Sequence, residues 1–280
     1  MLTVSQFDTK DVRPAYPPQS SPKASATVRF HRSFLAPPRI PYGFCYLDIG
    51  HTSNIRVTSA VDDITAEAAR FQISTYGPPD LLHRGIINSL NLGPGSLDIL
   101  CGEHTRNVWV DPSAPASMPI NFERPFITPP KVVVFFNCID LGNSTNFRVF
   151  TTATNIETRG FTLNIDKWGD SVLWTARVGW VAYPQDRGRI FSASVNTKDI
   201  RSPDQPQLKQ SQRIGFGPNV EFTRPPSVFV ALNEIDFGRN ANLRVNAYVD
   251  GVSMNGLTWH IDSWGDTALH SAGITIIAVN

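Results

Sequence analysis

The chain repeats itself three times, and that periodicity limits its possible folds more than any other feature. One pattern (Asp, apolar, Gly, a short variable stretch, Asn, apolar, Arg, Val) occurs at Asp48 to Val57, Asp140 to Val149 and Asp236 to Val245. Ten residues before each Asp sits the second Pro of a pair, Pro38, Pro130 and Pro226, and four before that a Phe, Phe34, Phe126 and Phe222. Twenty residues after each Arg comes an aromatic followed by Gly: Tyr76-Gly77, Trp168-Gly169 and Trp264-Gly265. Repeats one and three also share Thr9-Lys10-Asp11-Val12-Arg13 and Thr197-Lys198-Asp199-Ile200-Arg201, whereas repeat two is looser there.

Each unit reads as short strands. Lys131 to Phe136 and Ser227 to Leu232 are apolar runs behind Pro-Pro, the signature of buried strands. Phe161 to Asp166 and Leu257 to Asp262 alternate apolar and polar residues, as half-buried strands do. Val178 to Tyr183 and Ile274 to Val279 close their units. Thr65 to Arg70 has a helix-like composition, but its strand-like neighbours favour a turn. The expectation is an all-β chain of three tandem six-stranded antiparallel sandwiches spanning 1–92, 93–184 and 185–280.

Composition removes several function classes. Lys+Arg is 25 against Asp+Glu 24, too balanced for a non-specific nucleic-acid binder. No apolar run is long enough for membrane insertion. The start lacks a signal-peptide pattern and the three cysteines suit a reducing compartment, so a cytoplasmic location is expected. Cys101 and His104 have no second ligand pair, so neither a metal nor a cofactor is expected. No nucleophile elbow or P-loop is present, and Asp62-Asp63 would point to opposite faces of a strand, so an enzyme is not expected.

The residues that repeat are binding chemistry. Arg56, Arg148 and Arg244 sit second in apolar strands. Each could be a structural ion pair, for instance Arg56 with Asp48, or a donor fork aimed at ligand hydroxyls. Trp168 and Trp264 could plug a sandwich end, or offer the flat face on which the C–H side of a sugar stacks.

The combination resembles the H-type lectin domain, the family of snail agglutinins and of one domain of slime-mould discoidins. The residues that carry it are Phe126 to Val132, Asp140 to Val149, Gly160-Phe161, Trp168-Gly169-Asp170 and Trp180, with their counterparts in repeat three and part of repeat one. The resemblance implies a trimer-forming sandwich that binds galactose or N-acetylgalactosamine between neighbouring units. It places sugar-binding roles on Arg148, Trp168, Gly169, Asp170 and Trp174, and on Arg244, Trp264, Gly265, Asp266 and His270, with Arg56 and Tyr76 in repeat one. An upstream loop Asp falls on Asp111 and Asp204, while repeat one has Gln19 there. The family's polar ring after the Trp is Gly here, and repeat one has Gly77-Pro78-Pro79 in place of Gly-Asp and Leu82 at the place of Trp174 and His270, so repeat one is expected to be partly degenerate.

Three linked copies of a trimer-forming domain suggest an intramolecular pseudo-trimer. Each site would join the Arg face of one unit to the Trp face of the next. The expected function is a multivalent lectin for Gal/GalNAc-terminated glycans of glycoproteins or glycolipids. The alternative is a non-catalytic scaffold of repeated sandwiches.

Overall fold

A computed structural model describes residues 2–14, 23–77 and 81–280. Repeat one contributes β1 (Leu2–Asp8), β2 (Lys23–Arg29), β3 (Tyr42–Ile49), β4 (Ile55–Asp62), β5 (Ala68–Ser74) and β6 (Leu82–Leu92). Repeat two contributes β7 (Leu100–Asn107), β8 (Ser117–Asn121), β9 (Lys131–Leu141), β10 (Phe147–Glu157), β11 (Gly160–Asp166) and β12 (Leu173–Tyr183). Repeat three contributes β13 (Ile190–Asn196), β14 (Lys209–Gly215), β15 (Ser227–Phe237), β16 (Leu243–Asp250), β17 (Gly256–Asp262) and β18 (Leu269–Val279). All pairings between them are antiparallel. Thr65 to Glu67 lie in a tight turn held by the Thr65 hydroxyl, which accepts from the Ala68 N–H at 3.0 Å, and Ala68 begins β5.

Each repeat splits its strands between two half-sheets. The first, sixth and third strands form one, and the second, fifth and fourth form the other. Neither half-sheet stops at the edge of its repeat. β3 pairs with β16, β15 with β10 and β9 with β4, giving the six-stranded sheets β1-β6-β3-β16-β17-β14, β13-β18-β15-β10-β11-β8 and β2-β5-β4-β9-β12-β7. The three repeats therefore close on themselves as a ring, in which each sandwich lends its two layers to two different continuous sheets. Six strand edges that would otherwise be open are consumed by this closure.

The junction register explains the repeated motif. Arg56 lies opposite Asp140, Arg148 opposite Asp236 and Arg244 opposite Asp48. The expected pairing of Arg56 with Asp48 of its own repeat is thus corrected. β3 and β4 belong to opposite layers, which pack about 10 Å apart, whereas β4 and β9 are hydrogen-bonded neighbours. The motif's Asn also crosses each junction: Asn54, Asn146 and Asn242 accept from the backbone N–H of Asn143, Arg239 and His51 at 3.3, 3.2 and 3.3 Å. The motif's Gly N–H, at Gly50, Gly142 and Gly238, donates to the carbonyl of Leu81, Val172 and Ala268, which anchors the loop before each sixth strand.

Among the described residues, buried side chains form two clusters. The larger fills the sandwiches with side chains such as Phe71, Phe136, Phe147, Phe237 and Trp259. The smaller lies where the repeats meet and holds Leu90, Val133, Phe135, Phe229, Ala231 and Ile277. Gly43, Phe135 and Ala231 occupy equivalent positions of the three repeats and meet there. A Cβ on Gly43 would lie 2.8 Å from both the Ala231 Cβ and the Phe135 ring. One large ring thus fills space left by two small residues. Buried polar bonds cross the same region, from the Asn88 amide to the Val230 carbonyl at 3.0 Å and from the Thr275 hydroxyl to the Val134 carbonyl at 2.7 Å.

The Thr-Lys-Asp motif forms a 3-10 turn at Thr9–Asp11 and at Thr197–Asp199. The buried Thr9 and Thr197 hydroxyls accept from the Gly85 and Ala272 N–H, both at 3.1 Å. Repeat two instead extends β7 to Asn107. No helix of the described residues is long and apolar enough to cross a membrane.

Candidate functional site

The site residues converge at the junctions, and hairpin geometry brings the first pair together. In the β10–β11 hairpin Phe150 opposes Asp166, so two residues further out Arg148 stands across from Trp168. The same offset sets Arg244 across from Trp264 in β16–β17 and Arg56 across from Tyr76 in β4–β5. The following glycines have φ of +77°, +61° and +67° at Gly77, Gly169 and Gly265. A Cβ on each would lie 2.5, 3.0 and 2.9 Å from the Arg56, Arg148 and Arg244 guanidinium. Backbone conformation and the space claimed by the guanidinium both call for Gly here.

Each Arg then reaches the neighbouring repeat. The Nε atoms of Arg56, Arg148 and Arg244 face Oδ1 of Asp140, Asp236 and Asp48 at 3.6, 3.3 and 3.7 Å. Arg148 and Arg244 also donate through Nη1 to Asp170 and Asp266 of their own repeat at 2.8 and 2.6 Å. Repeat one has Pro78 at that place, which lies outside the described residues together with Pro79 and Gln19. There the Tyr76 hydroxyl donates to Asp140 at 2.9 Å instead. Burial, opposed by Tyr76 and Arg56, raises the Asp140 carboxyl above the ordinary range, and burial likewise raises Asp236 against His270 and Arg148. The hydrogen bond from Arg244 holds Asp266 below that range.

The expected division of labour needs correction. Arg and the aromatic-Gly pair come from the same repeat, and the neighbour supplies the buried Asp and, at the Arg56 and Arg148 junctions, the aromatic at the start of its sixth strand, where repeat one has Leu82 instead. Trp174 therefore joins Arg56 and Tyr76 rather than Arg148 and Trp168. A cleft of about 470 Å³ is lined by Asn54, Arg56, Tyr76, Gly77, Asn107, Trp109, Asp140, Trp174 and Thr175. His270 correspondingly sits by Asp236 and Gly238 in the junction that holds Arg148.

Half-buried Trp168 packs on Phe150, with the Lys198 ammonium of the next repeat 5.8 Å from its ring. Trp264 packs on Tyr46 of repeat one with ring centroids 5.1 Å apart. Asp111 is exposed, and its carboxylate accepts from the Ser113 N–H and hydroxyl at 2.9 and 2.6 Å, which lowers its pKa. It shapes its own loop and is not among the residues lining the cleft. Asp204 is exposed in a loop whose Pro203 carbonyl lies 3.4 Å from the His270 ring. Among the described residues no group of three His, Cys, Asp or Glu could hold a metal ion.

Sequence reasoning missed four contributors. Asp48, Asp140 and Asp236 were visible as repeats, but their reach across the junction needs the sheet pairing. Trp109 has no repeated counterpart to signal it.

The H-type lectin domain family matches at residues 25–82, 117–183 and 211–279, which together cover more than half of the chain. The chain belongs to the H-type lectin domain family. Two solved structures of discoidin II from Dictyostelium discoideum are similar at 11% and 16% identity. They cover 65% of this chain and 95% and 93% of theirs, with TM-scores of 0.27 and 0.25. A curated protein of Fuscovulum blasticum, ATP synthase subunits region ORF 7, is 33% identical over 63 residues, which is 22% of this chain; the chain spans 55% of that protein's length.

Proposed function

We propose that this carbohydrate-binding lectin holds glycans ending in galactose or N-acetylgalactosamine at its three repeat junctions. The observation that carries the reading is the threefold recurrence of one arrangement. A guanidinium lies beside the glycine that follows an aromatic residue of its own repeat and faces a buried carboxylate of the next. Carboxylate and guanidinium supply acceptors and donors for adjacent sugar hydroxyls, and the ring supplies an apolar face. The ion pairs restrain the long Arg side chain before ligand arrives, which reduces the ordering cost of binding.

The mechanism is binding without covalent chemistry. Single sites for neutral sugars are weak, and the ring places three junctions on one chain. A surface bearing many glycan termini is then held by avidity. Gly169 and Gly265 leave no side chain to contact an acetamido group, so the reading includes little preference between the two sugars.

A second reading has its own support: the Arg–Asp pairs and the Asn bonds also stitch the ring together, as a scaffold would require. A glycan array with wild type and Arg148→Lys, run beside thermal melts, separates the two. Lys keeps a cation beside Asp236 but loses the planar fork. Binding confined to galactose and N-acetylgalactosamine termini, weakened in a variant with a near-native melt, is the expected result. A blank array from folded wild type would favour the scaffold.

A further inference from the structure

We propose that the junction between repeats one and two grips more of a glycan than the junction between repeats two and three. It takes the terminal sugar at Arg56, Asp140 and Tyr76, and the next sugar in the chain on the ring of Trp109. This rests on the lectin reading above.

Trp109 is 73% exposed, yet it is fixed. Its backbone N–H and that of Val108 donate to the Trp174 carbonyl at 3.3 and 2.8 Å, and the Asn107 side chain accepts from the Val110 N–H at 3.1 Å. Its ring meets Trp174 edge-on, with centroids 5.4 Å apart at 79°. A large apolar surface held open to solvent beside a polar cleft is a binding platform whose ordering cost has already been met. Asn54, Asn107 and Thr175 line the same cleft and supply neutral donors and acceptors suited to hydroxyls.

The asymmetry has a cause in the chain. Repeat three forms its 3-10 turn at Thr197–Asp199 and follows it with Ser202-Pro203-Asp204-Gln205-Pro206-Gln207, which has no aromatic residue. Repeat two lacks that turn, continues β7 to Asn107 and projects Trp109 beyond it. Repeat one, which has Tyr76 rather than a Trp after β5, thus gains two Trp rings from its neighbour at this junction.

The test is ¹⁹F NMR of the full chain labelled with 5-fluorotryptophan, its six Trp signals assigned by single Trp→Phe variants. Methyl β-galactoside and lactose are titrated separately. The Trp168 signal should report the same dissociation constant for both. The Trp174 signal should report one about tenfold tighter for lactose, and the Trp109 signal should move with lactose alone. Trp109→Ala should abolish the difference between the lactose and galactoside constants at Trp174. Equal constants at Trp174, or a Trp109 signal that stays still while Trp174 responds to lactose, would overturn the proposal and leave the lectin reading intact. Silence of Trp168 and Trp174 with both sugars would remove both.

Discussion

The smallest scale is the glycine after each aromatic. Gly169 and Gly265 combine left-handed backbone with a guanidinium where a Cβ would stand. Gly169→Ala should cost about 1 kcal/mol of stability through backbone strain, and should weaken sugar binding at that junction by displacing Arg148. Thermal melts and a galactoside titration check the two halves. Unchanged binding would mean that the Arg148 position does not matter to the ligand. Acid should act at the same scale. Asp140 and Asp236 have raised folded values, chiefly through burial, so the folded protein takes up these protons more readily than the unfolded chain. The stability they contribute is full below the unfolded value and is lost as pH rises through the folded one. Acidification through that window therefore costs no stability through these groups, but it removes the charge facing Arg56 and Arg148. Sugar binding should decline from above the ordinary aspartate range while the melting temperature holds, as parallel titration and melting series would show. A melting temperature that falls together with binding would contradict this account.

At the scale of the element, much was legible. Apolar alternation and the Pro-Pro entries placed the strands, and the constant spacing placed Trp168 and Trp264 at strand ends. The hairpin offset of Arg148 and Trp168 is local, so sequence could carry it. What sequence could not carry was which strand lies beside β4. Arg56 and Asp48 are close in sequence, yet they stand on opposite layers, while Asp140 is brought beside Arg56 by a pairing between repeats. Trp109 was illegible for a different reason: it is unique to repeat two, and a search for what recurs passes over it. The motif's Asn ties neighbouring strands together across each junction. Asn146→Ala removes the acceptor for the Arg239 N–H across the β10–β15 junction. It should cost about 1 kcal/mol, the usual net worth of one hydrogen bond, read by urea denaturation. An unchanged midpoint would show that the bond adds nothing to the junction.

The whole molecule depends on the repeats being different. Three identical units would place three equal side chains at the meeting point, whereas Gly43, Phe135 and Ala231 divide that space unequally. Covalent linkage permits this because the order of the repeats is fixed. Gly43→Phe should overpack the centre and cost about 1–3 kcal/mol or more. Phe135→Ala should leave a cavity and cost about 3–5 kcal/mol. Placing Phe at 43 and Ala at 135 together should recover part of both losses, since residues in contact couple. A double variant whose loss equals the sum of the single losses would show that the two positions do not share one space.

The proposed sugar sites lie at the junctions, formed by Arg from one repeat and Asp from the next. A crystal structure of the chain soaked with methyl β-galactoside tests this placement most directly. Ligand density is expected with ring hydroxyls within hydrogen-bonding distance of Arg148 and Asp236, and of the equivalent pairs Arg56 with Asp140 and Arg244 with Asp48. Density confined to the surface of a single repeat, away from every junction, would contradict it.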